Sequence, residues 1–189
     1  LVGSEMCIRD RGTVFIILIF LCNLAYAFLA RWYAVLHSGV KGERRLFRTV
    51  KKLHGTNIVF HNLPVRYKRG RSELDMLIVC HAGVLIIEVK NHSGTISGSW
   101  RDDKWTQRKH YRDGKVTETM MDNPIKQMRR QRDIVKSILT AAGENVWIDS
   151  VLYFSSPNAK LKISLRESDY VCCESAELLE FLKSYDSGE

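Results

Sequence analysis

The chain has 189 residues, 45% of them hydrophobic and 26% charged, with 29 Lys and Arg against 21 Asp and Glu. That hydrophobic content excludes a disordered chain, and the length suits one domain with an appendage. A net charge of +8 favours polyanionic partners, nucleic acid or anionic lipid, without choosing between them. The cysteines at 7, 22, 80, 172 and 173 have neither CxxC nor zinc-type spacing and read as reduced, buried thiols of a cytosolic environment.

Leu1 to Arg11 is similar to translated sequencing-adaptor read-through and is kept out of the fold reasoning, so residues 1–12 are treated as a non-native segment. Thr13 to Ala30 is uncharged and contains eleven Val, Ile, Leu and Phe residues. As a helix it would span roughly 27 Å, near the hydrocarbon thickness of a bilayer. Arg31, Trp32 and Tyr33 follow, then Lys41, Arg44, Arg45 and Arg48. Such an aromatic and basic flank predicts a single-pass anchor in an inner or plasma membrane, with the rest of the chain in the cytoplasm. Ala25-Tyr26-Ala27 also allows a cleaved signal peptide, although the downstream basic bias fits export poorly.

Residues 31–39 read as a juxtamembrane linker through Ser38-Gly39, and residues 40–189 as the remaining domain, with its core at 40–140. A helix is expected from Val40 or Lys41 to about His54, with Leu46, Phe47, Val50 and Leu53 as its apolar stripe. Glu43 lies three and four residues before Leu46 and Phe47, which places it on the core-facing side. A carboxylate there is an ion-pair partner or part of a site.

Thr56 to Leu63 reads as extended and Pro64 to Ser72 as a basic polar loop. Two apolar strand-like runs follow, broken at His81-Ala82-Gly83, with Asp75 near one far end and Glu88 and Lys90 near the other. With Ala82-Gly83 as a two-residue turn, Asp75 falls opposite Lys90 and diagonal to Glu88 on one face. Buried charges are costly unless paired or metal-bound. Two carboxylates beside an amine therefore read as a divalent-metal site, or as an ion-pair cluster at a sheet edge.

A third strand is expected near Thr95-Ile96. The stretch from Trp100 to Lys115 interleaves Arg101, Lys104, Arg108 and Lys109 with Trp100, Trp105 and Tyr111. That suits phosphate tracking with base stacking, and equally a solvated hairpin whose tryptophans pack on the core. Asn123-Pro124 is a helix start, and Gln127, Gln131, Ile134 and Ile138 share the inward stripe up to Gly143. Val146 to Phe154 reads as a buried strand, Val171 to Cys173 as a short one, and Ser175 to Tyr185 as an amphipathic helix. The order implies an α/β domain around a mixed sheet.

Gly42-Glu43 opening a helix, Glu73-Leu74-Asp75, Ile87-Glu88-Val89-Lys90 with Gly94, Trp105, and Asn123-Pro124 with Gln127 stand in sequence from about Gly39 to Leu139. Each piece alone is common. In this order and spacing the chain resembles the NERD, or nuclease-related, domain of the PD-(D/E)xK phosphodiesterase superfamily. The resemblance implies a restriction-endonuclease-like mixed sheet flanked by helices, a link to DNA processing, and often one transmembrane helix or a fused module. The end of the chain, DSGE, is consistent with truncation ahead of such a module. The resemblance further implies that Asp75, Glu88 and the Val89 carbonyl ligate Mg²⁺, with Mn²⁺ as the other candidate. Glu43 would hold a second metal or a metal-bound water, Lys90 would orient or deprotonate the attacking water, and Gln127 would position substrate or Lys90. DNA is the expected partner. A nucleic-acid-binding or scaffold module without turnover is the alternative on the same fold.

Overall fold

The computed structural model describes residues 3–51 and 57–187. The chain divides into two compact units, residues 1–40 and 41–189. The first unit is formed by helix α1 (Gly3–Val50), which continues into the second. Within it, Phe15–Tyr33 is long and apolar enough to cross a membrane, and none of that stretch is buried. The core helix of a soluble protein would hide such a surface; this one presents it. Residues 31–39, expected as a linker, are helical. Gly39 is the one helix-weakening glycine there, and a lone Gly costs only about 1 kcal/mol relative to Ala. The expected helix end near His54, with Leu53, lies outside the described residues.

The second unit is built on two sheets. The larger carries β1 (Ile58–Tyr67), β2 (Gly70–Cys80), β3 (Gly83–Lys90), β7 (Ile148–Phe154) and β9 (Tyr170–Cys172), in the order β1-β2-β3-β7-β9. β1, β2 and β3 run antiparallel, whereas β3, β7 and β9 are parallel. The smaller sheet has the order β6-β5-β4-β8, from β4 (Gly94–Ser99), β5 (Lys104–His110), β6 (Val116–Asp122) and β8 (Ala159–Ser164). Helix α2 (Pro124–Ala141) follows β6, and α3 (Ser175–Ser187) closes the chain. A mixed sheet flanked by helices on both faces is a restriction-endonuclease-like arrangement.

Three apolar clusters fix these layers. Leu46 and Val50 of α1 and Leu178 and Leu182 of α3 meet Met76, Ile78, Leu85 and Ile87 on one face of the large sheet. Ile134 and Val135 of α2 meet Leu74, Leu77, Val84 and Ile86 on the other. Ile125 and Met128, nearer the start of α2, pack with Ile96, Trp105, Leu152 and Phe154. Helix α2 therefore touches both sheets. β3 is covered on both faces, which is why it reads as a continuous apolar run. Gly98 leaves room for the Trp105 ring, which any Cβ there would strike.

Two local readings change. The basic stretch 64–72 is not a loop: β1 and β2 pair through Tyr67 and Gly70, leaving Lys68 and Arg69 as a two-residue turn. The next turn is His81-Ala82, not Ala82-Gly83, because Cys80 pairs with Gly83. The register thus shifts by two, so the extrapolated partner of Asp75 is Glu88 and not Lys90. By itself a two-residue slip keeps every side chain on its face.

Candidate active site

The β2–β3 ladder ends at Met76–Ile87, one pair short of Asp75 and Glu88. On the other side of β2, Asn62 drops out of the β1 ladder with a φ of 46°, a left-handed conformation that is uncommon for a residue other than glycine. Side-chain alternation also slips here, since Leu74 and Leu77 both join the core beneath α2. The strands part at Asp75, and its carboxylate takes the place of a ladder acceptor: Oδ2 accepts from the Val89 N–H at 2.7 Å.

Glu88 is 1% exposed, and both its oxygens are engaged. Oε1 accepts from Lys90 Nζ at 2.6 Å and Oε2 from Gln131 Nε2 at 2.7 Å. Lys90 Nζ also donates to Gln127 Oε1 at 3.1 Å, and Gln131 Nε2 to the Glu73 carbonyl at 3.0 Å. Gln127 and Gln131 lie one helical turn apart on α2 and grip the two charged groups from the same side. Lys90 is 21% exposed, so its side chain, unlike that of Glu88, reaches solvent.

The Asp75 carboxyl is pushed up to about 7 by burial and then by the negative charge of Glu88. Glu43 adds to the rise, while the Val89 N–H and Lys90 oppose it. Glu43 is half-buried on α1 and lines, with Asp75, Phe47, His61 and Asn62, a cavity of about 280 Å³. Three acids and an amine thus feel one another electrostatically. They do not form a ready ligand set: among the described residues no three His, Cys, Asp or Glu side chains gather closely enough to hold a metal ion. The physical reason lies on Glu88, where the Lys90 ammonium already satisfies one carboxylate oxygen. In kind the donors fit a hard divalent cation, being oxygens only, and a positive charge beside Asp75 would offset both its burial and the repulsion from Glu88.

Gln131 escaped the sequence reading as a site residue. Its signal was a polar amide four residues after Gln127 on an otherwise apolar stripe, and it is fully buried, with Oε1 lacking a hydrogen-bond partner among the described residues. His92 is half-buried, its pKa lowered by burial and by Lys90 and Lys109. The imidazole stays neutral beside the amine. Arg45, also missed, donates to the Ser155 carbonyl at 2.5 Å and ties α1 to the end of β7.

The four cations expected to touch nucleic acid are dispersed along the small sheet. Arg101 lies 4.9 Å from the Trp100 ring, Lys104 is exposed at the start of β5, and Arg108 pairs with Glu118 at 2.9 Å. Lys109 alternates with Arg108 along the strand and acts on His92. Trp105 is fully buried, so it packs the core and offers no stacking face.

A family model described as the nuclease-related domain, NERD, matches residues 38–155, more than half of the chain. The chain belongs to the NERD family. The match begins just before Glu43 and ends just beyond β7, taking in every residue of the network above. This NERD chain is also similar to an uncharacterised protein of Bacillus anthracis, with 34% identity over 71 residues. That stretch covers 36% of this chain and 34% of that protein, so the chain spans only about a third of the relative it matches. No solved structure matches the chain.

Proposed function

We propose that this NERD protein is a membrane-anchored, metal-dependent nuclease that hydrolyses phosphodiester bonds in DNA. The observation that carries the reading is the meeting of Asp75, Glu88 and Lys90 where β2 and β3 part, with an amide of α2 on each of the last two. Asp75, Glu88 and the Val89 carbonyl would hold Mg²⁺ or Mn²⁺, with Glu43 reaching the same place from α1. The cation would supply Lewis-acid stabilisation of charge on the phosphoryl oxygens.

The chain's own groups account for the remainder. Lys90 presents a solvent-reachable ammonium that orients a water against the phosphorus and offsets the charge that grows on the phosphoryl group. Gln127 fixes the direction of that amine, and Gln131 fixes Glu88. Burial of Glu88 keeps its carboxylate from being diverted by solvent. Arg101, Lys104, Arg108 and Lys109 add positive charge on the neighbouring sheet for the DNA backbone. Phe15–Tyr33 would hold the protein in an inner or plasma membrane as a single span, with the catalytic unit in the cytoplasm.

The test is cleavage of plasmid and linear DNA by the full chain in detergent, with Mg²⁺, Mn²⁺ or EDTA, beside Lys90→Ala. Metal-dependent nicking that disappears in Lys90→Ala is expected. Nicking that persists undiminished in that variant would count against the assignment. One observation favours a second reading, a DNA-binding module without turnover: both oxygens of Glu88 are already satisfied by the protein. Salt-sensitive DNA binding with no cleavage under either metal would select it.

A further inference from the structure

The basic run Arg66-Tyr67-Lys68-Arg69-Gly70-Arg71 has no part in the site above, and its placement gives it one. It forms the tip of the β1–β2 hairpin, where residues 67–70 face α2 across a cleft of about 610 Å³. Lys68, Arg69, Lys126 and Arg130 line the cleft, with Asp133 as the acid among its lining residues. Arg129 also borders it but is committed elsewhere, gripping the 3%-exposed Asp169 through Nη2 at 2.6 Å.

The other cations are available. Neither Arg69 nor Arg130 forms an ion pair with a carboxylate among the described residues. Lys126 pairs with Asp103, whose side chain is 95% exposed, and pairs of that kind are held weakly. Across the hairpin Arg66 sits directly opposite Arg71, an arrangement of like charges that is unfavourable without an anion nearby. At the tip Lys68 has a φ of 51°, in the left-handed region where glycine is favoured. A hairpin end that concentrates positive charge against itself suits a polyanion.

Direction decides which polyanion. Lys126 and Arg130 lie one residue before and three after Gln127, whose amide holds the Lys90 amine. Successive helical residues rise by only about 1.5 Å, so Lys126 and Arg130 stand within one turn of the residue that holds Lys90. We infer that this cleft takes the phosphate backbone of the DNA that flanks the scissile bond. The inference rests on the nuclease reading for the identity of the ligand. The hairpin and α2 grip the strand.

The test measures binding of labelled duplex DNA to the full chain in detergent over a series of salt concentrations, with EDTA present, and then cleavage with Mg²⁺. Arg69→Ala/Arg130→Ala is expected to weaken binding and to reduce the slope of log K against log salt by about two, one per lost phosphate contact. Arg69→Lys/Arg130→Lys, which conserves charge, should keep the wild-type slope and show that the fold is intact. An unchanged slope in the alanine variant overturns the cleft, even if the wild type cuts DNA. A cleft-dependent slope in a protein that never cuts with either metal sustains the cleft and sinks the nuclease reading instead. Absence of DNA binding by the wild type, or loss in the alanine variant of binding to anionic lipid vesicles alone, overturns the assignment to DNA.

Discussion

Asp75 carries opposing demands on one side chain. Its carboxyl is most stable protonated in the fold, held near 7 by burial and by Glu88, whereas the unfolded chain releases that proton near 3.8. For an acid whose pKa is raised by folding, the unfolded state loses the proton first. Stability therefore falls as pH rises from about 4 to about 7. Asp75→Asn removes this penalty and keeps an oxygen to accept the Val89 N–H. In EDTA at pH 8 the variant is expected to melt about 3 °C or more above wild type, with the gap closing towards pH 4. DNA cleavage, where the wild type shows it, should vanish. A melting difference that stays constant over this range would dismiss the electrostatic account. Gln131 behaves in the opposite sense, because it satisfies rather than strains. Gln131→Met keeps the length but leaves Glu88 Oε2 and the Glu73 carbonyl without their donor. Urea unfolding should register a loss of about 3 kcal/mol, the usual scale for a buried acceptor of this kind left unpaired.

At the scale of elements, α2 is the part on which both sheets and the site depend, and its first residues set it. Asn123 Oδ1 accepts from the Ile125 N–H at 2.9 Å, while its Nδ2 donates to the carbonyls of Ser99 and Asp102 at 3.0 and 2.7 Å. One side chain thus caps the helix and fastens it to the β4–β5 turn. Asn123→Ala should cost about 2 kcal/mol or more, above the usual loss of a cap alone. Hydrogen exchange of the first turn of α2, including the amide of Gln127, should quicken, and an exchange pattern indistinguishable from wild type would deny α2 this role. The cap, the inward stripe and the stop at Gly143 were all legible, because capping and periodicity are local. Strand register was not. The alternation of β3 put Glu88 and Lys90 on one face, but His81-Ala82 and Ala82-Gly83 are equally good turns by composition, and only cross-strand packing chooses between them. Two strands, β6 and β8, also went unread. Val116–Asp122 and Ala159–Ser164 are largely exposed or alternate weakly, so burial left little mark on their sequence.

For the molecule as a whole, the same limit applies to charge. The surplus of +8 was visible at once, yet which cations stand together depends on long-range pairing that brings residues 66–71 against 126–130. The apolar helix needed no such information, since hydropathy over one helix is wholly local. Its expected span, residues 13–30, overlaps almost completely with Phe15–Tyr33, the stretch long and apolar enough to cross a membrane. Ten Val, Ile, Leu and Phe residues in that stretch, at about −0.3 to −0.6 kcal/mol each, favour insertion by only about 5 kcal/mol before Asn23 and Arg31 are counted. Asn23 partly hides its polarity by donating to the Ile19 carbonyl at 2.7 Å within its own helix. The margin is small enough to be reversed. Leu21→Arg/Leu24→Arg places two guanidinium groups near the middle of the span, at a cost of about 2.5 to 3.5 kcal/mol each. In cells the wild type should remain in the membrane pellet after alkaline carbonate extraction, and the double variant should move to the supernatant. A double variant retained like wild type would mean that this stretch is not what holds the protein in the membrane.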